Sequence, residues 1–289
     1  MAKSGSLRNE LSGGTLFIMG DSISTFEGCV PPENAVFYEG ERCEETGVLG
    51  VEDTWWGILA EKLGMKIGIN GSYSGSKVCG DAFPFGASKA RADQLAPCTS
   101  QEGTPGDACG EGGASAVIVF MGINDYGGGV EGGIKRFARD YKTLLENIKE
   151  ACPGALILAT TLLPGRVEGA SVPTFCTQLR GIDICEFNDC IRMAARDAGC
   201  FCLDIAAFGF DYETIDGTHP NRRGMMQIAL MMYAQIANLP ACVHEDRALF
   251  PHELRSSRTC NLTTCIGCPF AESTTEKWSC ICHRLESAC

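Results

Sequence analysis

Ala116-Val117-Ile118-Val119-Phe120-Met121 is an unbroken apolar run, and Gly122-Ile123-Asn124-Asp125 follows it at once. Six apolar residues in a row, stopped by a glycine, suit a strand covered on both faces, as strands of parallel sheets are. Similar runs lie on either side. Thr15 to Met19 and Lys66 to Ile69 precede it, and Ala155 to Thr160 and Phe201 to Ile205 come after. Between them the period changes to that of helices, over Thr54 to Leu63, Ile134 to Glu150, Ile182 to Ala198 and Arg222 to Asn238. In the second of these, Ile134, Phe137, Tyr141, Leu144, Leu145 and Ile148 fall on one helical face. Pro153-Gly154 and Gly199 stand where the second and third helices should stop. Strand–helix alternation of this kind implies an α/β fold, a doubly wound parallel sheet with helices on both faces.

Two stretches fall outside the rhythm within the body of the chain. Residues 26–52 form a long connection after the first strand, with Pro31-Pro32 and several Glu, and such a loop at a strand end is often part of a cleft. Cys98 to Gly113, rich in Gly, Thr, Glu and Pro, reads as a surface loop before the central strand. From Pro240 the alternation ends. The organisation expected is a domain over 1–240 and a Cys-rich tail over 241–289.

Composition narrows the function. The formal charge is −12, and the tail carries five Lys/Arg against six Asp/Glu, so residues 1–240 hold nearly all of it. Such a surface disfavours nucleic acid and anionic membranes as partners. No run is long and apolar enough for a membrane span; Met225 to Leu239 is interrupted by Gln227, Gln235 and Asn238. The opening MAKSGSLRNELSGG lacks the apolar stretch of a secretory signal, so a cytoplasmic location is expected. In that compartment most of the 18 cysteines should be free thiols. Seven of them lie in the tail. There Cys265-x-x-Cys268 and Cys280-x-Cys282, with Cys260, Cys289 and His283 nearby, could close a tetrahedral metal site, form disulfides, hold an iron–sulfur cluster or remain free.

The chemistry-bearing residues sit at strand ends and late turns. Gly20-Asp21-Ser22 closes the first strand, and Asp216-Gly217-Thr218-His219 comes near the end of the body. Ligands of open parallel sheets bind beyond the carboxyl ends of the strands, which is where Ser22 lies. A serine attacks only when a base takes its proton. His219 is that candidate base, the other three of four histidines lying in the tail. Asp216, three residues earlier, would orient its imidazole. Read blandly, Asp-Gly-Thr-His-Pro-Asn is also a turn into a helix at Arg222, and both readings can hold together. Gly127-Gly128-Gly129-Val130-Glu131-Gly132 formally matches G-x-G-x-x-G, but Asn124-Asp125-Tyr126 separates it from the strand and no acidic partner for a ribose is well placed. Trp55-Trp56 reads as helix packing more readily than as cleft lining.

Asn70-Gly71-Ser72-Tyr73-Ser74-Gly75 and Gly122-Ile123-Asn124-Asp125 lie between the serine and the histidine in chain order. With them the chain resembles the SGNH (GDSL) hydrolases from about Thr15 to Asn238, four short blocks in the family's order. The resemblance implies a three-layer α/β/α sandwich with the flavodoxin-like strand order 2-1-3-4-5. It also implies a serine esterase of lipase-like type, cleaving a carboxylic ester through an acyl-Ser22 intermediate without a cofactor. An oxyanion hole would come from the backbone N–H groups of Ser22 and Gly75 and the Asn124 amide, with Gly71 a rival for the second position. A small soluble ester with a short acyl group, such as a carbohydrate ester, is the expected substrate. An acyltransferase on the same fold and a metal- or redox-sensing protein built on the tail are the alternatives, and the oligomeric state is not readable.

Overall fold

A computed structural model describes residues 7–96, 113–173 and 181–238, and the backbone of 178–179, 271–274 and 277–280. The chain runs α1 (Leu7–Leu11), β1 (Thr15–Gly20), α2 (Glu41–Thr46), α3 (Trp55–Leu63), β2 (Lys66–Asn70), α4 (Lys89–Asp93) and β3 (Ala116–Phe120). It continues through α5 (Ile123–Gly128), α6 (Gly133–Ala151), β4 (Leu156–Thr160), β5 (Gly165–Val167), β6 (Gln178–Leu179), β7 (Ile182–Asp183) and α7 (Ile184–Asp197). Then come β8 (Phe201–Leu203), β9 (Tyr212–Thr214), α8 (Arg222–Asn238) and a separate hairpin, β10 (Ala271–Thr274) with β11 (Lys277–Cys280). By its contacts the chain divides into Met1–Asp246 and Arg247–Cys289, against an expected boundary at 240.

The main sheet has the order β2-β1-β3-β4-β8, and every pairing in it is parallel. This is the 2-1-3-4-5 arrangement expected from the resemblance. Val117 pairs with Phe17 on one side and with Ile157 on the other, so β3 is the central strand. All five of its residues are buried, which explains why it is the most uniformly apolar segment of the sequence. Helices α1, α3 and α8 pack as one layer and α4, α6 and α7 as another. On α6 the expected stripe is buried from Phe137 to Ile148, while Ile134 is only half-buried. Each fully buried Leu or Ile of this kind contributes about 1.5–3 kcal/mol.

Two element ends differ from the sequence expectation by two residues, and an aspartate sets each. The third helix starts at Ile184 rather than Ile182, because the Asp183 carboxylate accepts from the Cys185 N–H at 2.8 Å and caps it. Strand β8 stops at Leu203, because the buried Asp204 turns aside to bind Thr161 Oγ1 and the Arg192 guanidinium (2.8 and 3.1 Å). The 26–52 connection is not featureless. It carries α2 and a 3₁₀ turn at Val51–Asp53, and Tyr38 and Asn34 anchor it as buried residues.

Candidate active site

Strand β1 delivers Ser22. Asp21 follows the strand in extended conformation, and its Oδ1 accepts from the Ile23 N–H at 3.1 Å, which turns the chain into the 3₁₀ turn Ser22–Ser24. This turn is held from several distant places. The Ser24 carbonyl accepts from Trp56 Nε1 at 3.0 Å and Asn70 Nδ2 at 2.8 Å, and Ser24 Oγ accepts from Trp55 Nε1 at 3.1 Å. The two tryptophans therefore pack in the core and brace the turn instead of lining a cleft. Gly20 is needed for close approach, since a Cβ there would collide with the Ser24 side chain and Ser72 Oγ.

The turn after β9 delivers the other two side chains. His219 Nε2 lies 3.0 Å from Ser22 Oγ, and its Nδ1 lies 2.7 Å from Asp216 Oδ2. The other carboxylate oxygen of Asp216 accepts from the backbone N–H groups of Thr218 (2.9 Å) and His219 (2.8 Å). Partial burial alone would push the Asp216 carboxyl up. The hydrogen bonds from the His219 ring and from those two backbone groups outweigh it and hold the pKa at about 2. The turn itself is tied down by Tyr212, whose hydroxyl donates to the Thr218 carbonyl at 2.8 Å. Asp-x-x-His thus serves as both turn and pairing, as its two sequence readings allowed.

The second and third sequence blocks meet beside Ser22. The Tyr73 N–H donates to the Gly20 carbonyl at 3.1 Å, laying the 70–75 segment along the end of β1. Gly71 is buried, and its N–H is taken by the Ile18 carbonyl at 2.8 Å. Gly75 is exposed with φ +78°, and among the described residues its N–H has no protein acceptor. Of the two rival glycines, only Gly75 has a donor to offer. Asn124 is the second residue of α5, and its Nδ2 donates to the Ser76 carbonyl at 3.0 Å, leaving one amide hydrogen of the pair for another acceptor. Its neighbour Asp125 accepts from the N–H groups of Val78 (2.7 Å) and Cys79 (3.0 Å), clamping the same segment.

Sequence reasoning missed Arg91. It is fully buried, and its guanidinium donates to the carbonyls of Gly20 (3.1 Å), Pro84 (3.1 Å) and Gly71. A further bond of 2.6 Å reaches Gln94 Oε1, and Gln94 in turn bonds Asn34 in the 26–52 connection at 2.9 Å. One buried cation thus holds the end of β1 against two other loops. Burial lowers its pKa to about 10, so it stays charged. Burial likewise pushes the Asp21 carboxyl up to about 7, assisted by Asp125 and opposed by the Ile23 N–H and by Arg91. A lone arginine in a polar-looking stretch gives no signal in sequence; only the fold shows what surrounds it.

Other expected features resolve simply. Gly127 and Gly128 end α5, and Gly129 and Gly132 sit in the link to α6, away from the end of β3. They do not form a strand-to-helix phosphate turn. The eight described cysteines are all free, and burial pushes Cys152, Cys190 and Cys200 up to about 11. No helix among the described residues is long and apolar enough to cross a membrane. The Cys98–Gly113 loop lies almost wholly outside the described residues, as do the side chains of Cys260, Cys265, Cys268, Cys280, Cys282, His283 and Cys289.

Residues 14–236 match the family model of the GDSL-like lipases and acylhydrolases. The chain belongs to the GDSL-like lipase/acylhydrolase family. This GDSL-family membership makes it a carboxylic ester hydrolase by class. Solved structures share its fold. A protein of Bacteroides ovatus described as a GDSL-like lipase is 21% identical, with a TM-score of 0.53 over 77% of this chain and 97% of that one. The M. smegmatis aryl esterase is 17% identical, TM-score 0.53, over 78% and 100%. A carbohydrate acetylesterase from Sinorhizobium meliloti is 15% identical, TM-score 0.51, over 78% and 98%. Comparison with curated proteins returns no match.

Proposed function

We propose that this GDSL-family chain hydrolyses a small carboxylic ester through an acyl-Ser22 intermediate. The observation that carries the proposal is the continuous path from Asp216 through His219 to Ser22, with contacts of 2.7 and 3.0 Å. In the first step neutral His219 takes the Ser22 proton through Nε2 as Oγ attacks the ester carbonyl. Asp216, ionised down to about pH 2, holds the Nδ1 proton and stabilises the imidazolium that forms. The developing oxyanion receives the Gly75 N–H, the Ser22 N–H and the remaining Asn124 amide hydrogen. The imidazolium then protonates the leaving alcohol, and water repeats the sequence to release the acid.

The interior directly beneath the nucleophile is closed to an acyl chain. Asp21 and Ile23, which flank Ser22, meet Ile123, Leu162 and Tyr212 there, and the gap among them does not admit a water molecule. No tunnel for a long alkyl chain opens at that point, which favours a short acyl group. Similarity to a carbohydrate acetylesterase and an aryl esterase in fold agrees with a small ester. The test is kcat/KM on aryl esters of increasing acyl length, followed by acetylated sugars. Acetyl and propionyl esters should be cleaved fastest, with a steady decline as the chain lengthens. A preference for long acyl chains would overturn the short-ester reading.

A further inference from the structure

The 26–52 connection places an aromatic ring flat against the histidine. Phe37 and His219 have ring centroids 3.6 Å apart and planes 6° from parallel. Three other contacts fix where the Phe37 ring lies. Its backbone N–H donates to Thr25 Oγ1 at 2.9 Å, and that hydroxyl donates to the Ser22 carbonyl at 3.0 Å. Tyr38, next along, meets Phe37 edge to face at 5.0 Å and donates its hydroxyl to the Pro220 carbonyl at 2.8 Å. The Arg42 guanidinium lies over the Phe37 ring at 5.5 Å. The segment is therefore joined at one end to the backbone of Ser22, and at the other to the residue after His219.

We infer that Phe37 is a positioning residue for His219. The inference rests on the Ser22–His219–Asp216 reading above. A hydrogen bond at each ring nitrogen fixes two points of the imidazole but leaves it free to rock about the line joining them. A parallel ring at van der Waals distance removes that freedom and covers one face from water. The plane of the imidazole decides whether Nε2 meets Ser22 Oγ and then the leaving oxygen in line. Misplacement of a catalytic group by an ångström can cost about a hundredfold in rate. The Thr25 and Tyr38 bonds mean that serine, histidine and Phe37 move as one unit, through a connection that bypasses the triad itself.

The test compares Phe37→Leu, which keeps apolar bulk, with Phe37→Tyr, which keeps a flat ring. Phe37→Leu should lower kcat about 10- to 100-fold with KM near wild type, and Phe37→Tyr should restore most of it. The stack also has a spectroscopic signature independent of turnover. The carbon-bound ring protons of His219 lie over a phenyl face and should be shifted upfield in proton–carbon NMR spectra. Phe37→Leu should remove that shift while circular dichroism and thermal unfolding remain native-like. His219→Gln identifies the signal among the four histidines. Wild-type kcat in Phe37→Leu, or a His219 ring signal that Phe37→Leu leaves in place, overturns the inference. Loss of activity in Ser22→Ala together with full activity in Phe37→Leu would discard the positioning role alone. Full activity in Ser22→Ala would discard the triad beneath it.

Discussion

The turn that carries Ser22 and the turn that carries His219 are built on opposite plans. Around Ser22 the supports come from far away in sequence: Trp55, Trp56, Asn70 and Arg91 all bond Gly20 or Ser24. Around His219 most are local, Asp216 bonding the backbone and the ring within three residues. Ser22 is 3% exposed, whereas the Asp216 side chain is 45% exposed. Ser22 is thus set by the core, and His219 by its own loop plus the ring of Phe37. Changes beneath Ser22 should damage the fold and the chemistry together. Changes in the 216–219 turn should damage the chemistry while the fold stands.

The largest expected effect is in the 216–219 turn itself. His219→Ala should lower kcat by roughly 10⁴ or more while leaving the urea midpoint near wild type. Adding Ser22→Ala should lower the rate little further, because the two act as a unit. Multiplying losses in the double variant would show that they act separately. Asn124→Ala comes next, with a loss of about 10²–10³ in kcat and little change in KM, as for a removed oxyanion donor. An effect confined to KM would make Asn124 a ground-state binding residue.

Arg91→Met should break the comparison on its other side, through stability. The backbone carbonyls of Gly20, Gly71 and Pro84 would lose their shared donor in a buried setting. A cost of roughly 3 kcal/mol or more is expected, read from urea unfolding. An unchanged midpoint would mean that other groups hold these loops.

Asp21→Asn gives the smallest and most specific effect. Burial raises the folded pKa of Asp21 from 3.8 to about 7. Between these values the folded chain keeps a proton that the unfolded chain releases. The contribution is therefore full below about pH 4 and is lost as pH rises through 7. An asparagine retains the acceptor for the Ile23 N–H but does not ionise. Stability measured from pH 4 to 8 should decline less steeply in the variant, and an identical slope would show that Asp21 does not titrate there.

What the sequence could say follows the same division. The main strands were readable because central parallel strands must be apolar on both faces, as Val117 to Val119 are. Asp216 and His219 were readable because their pairing is short-range and leaves a fixed spacing. Ser22, Gly75 and Asn124 were picked out by motif, each at a strand end or in a block with a set form. Arg91 and Phe37 left no such mark. The partners that give them their place in the site, Gly20 and Gly71 for Arg91 and His219 for Phe37, lie about twenty residues away or more, and neither a buried arginine nor a loop phenylalanine has a periodicity. Strands β5 and β9 were missed for another reason, since three residues are too few to show a pattern.

The central claim is that Ser22 is the atom acylated by the ester. A fluorophosphonate probe followed by peptide mass analysis tests it directly. The probe's mass should appear on the peptide containing Ser22, be absent in Ser22→Ala, and form far more slowly in His219→Ala. A label on another residue, or ester hydrolysis at the wild-type rate in Ser22→Ala, would contradict it.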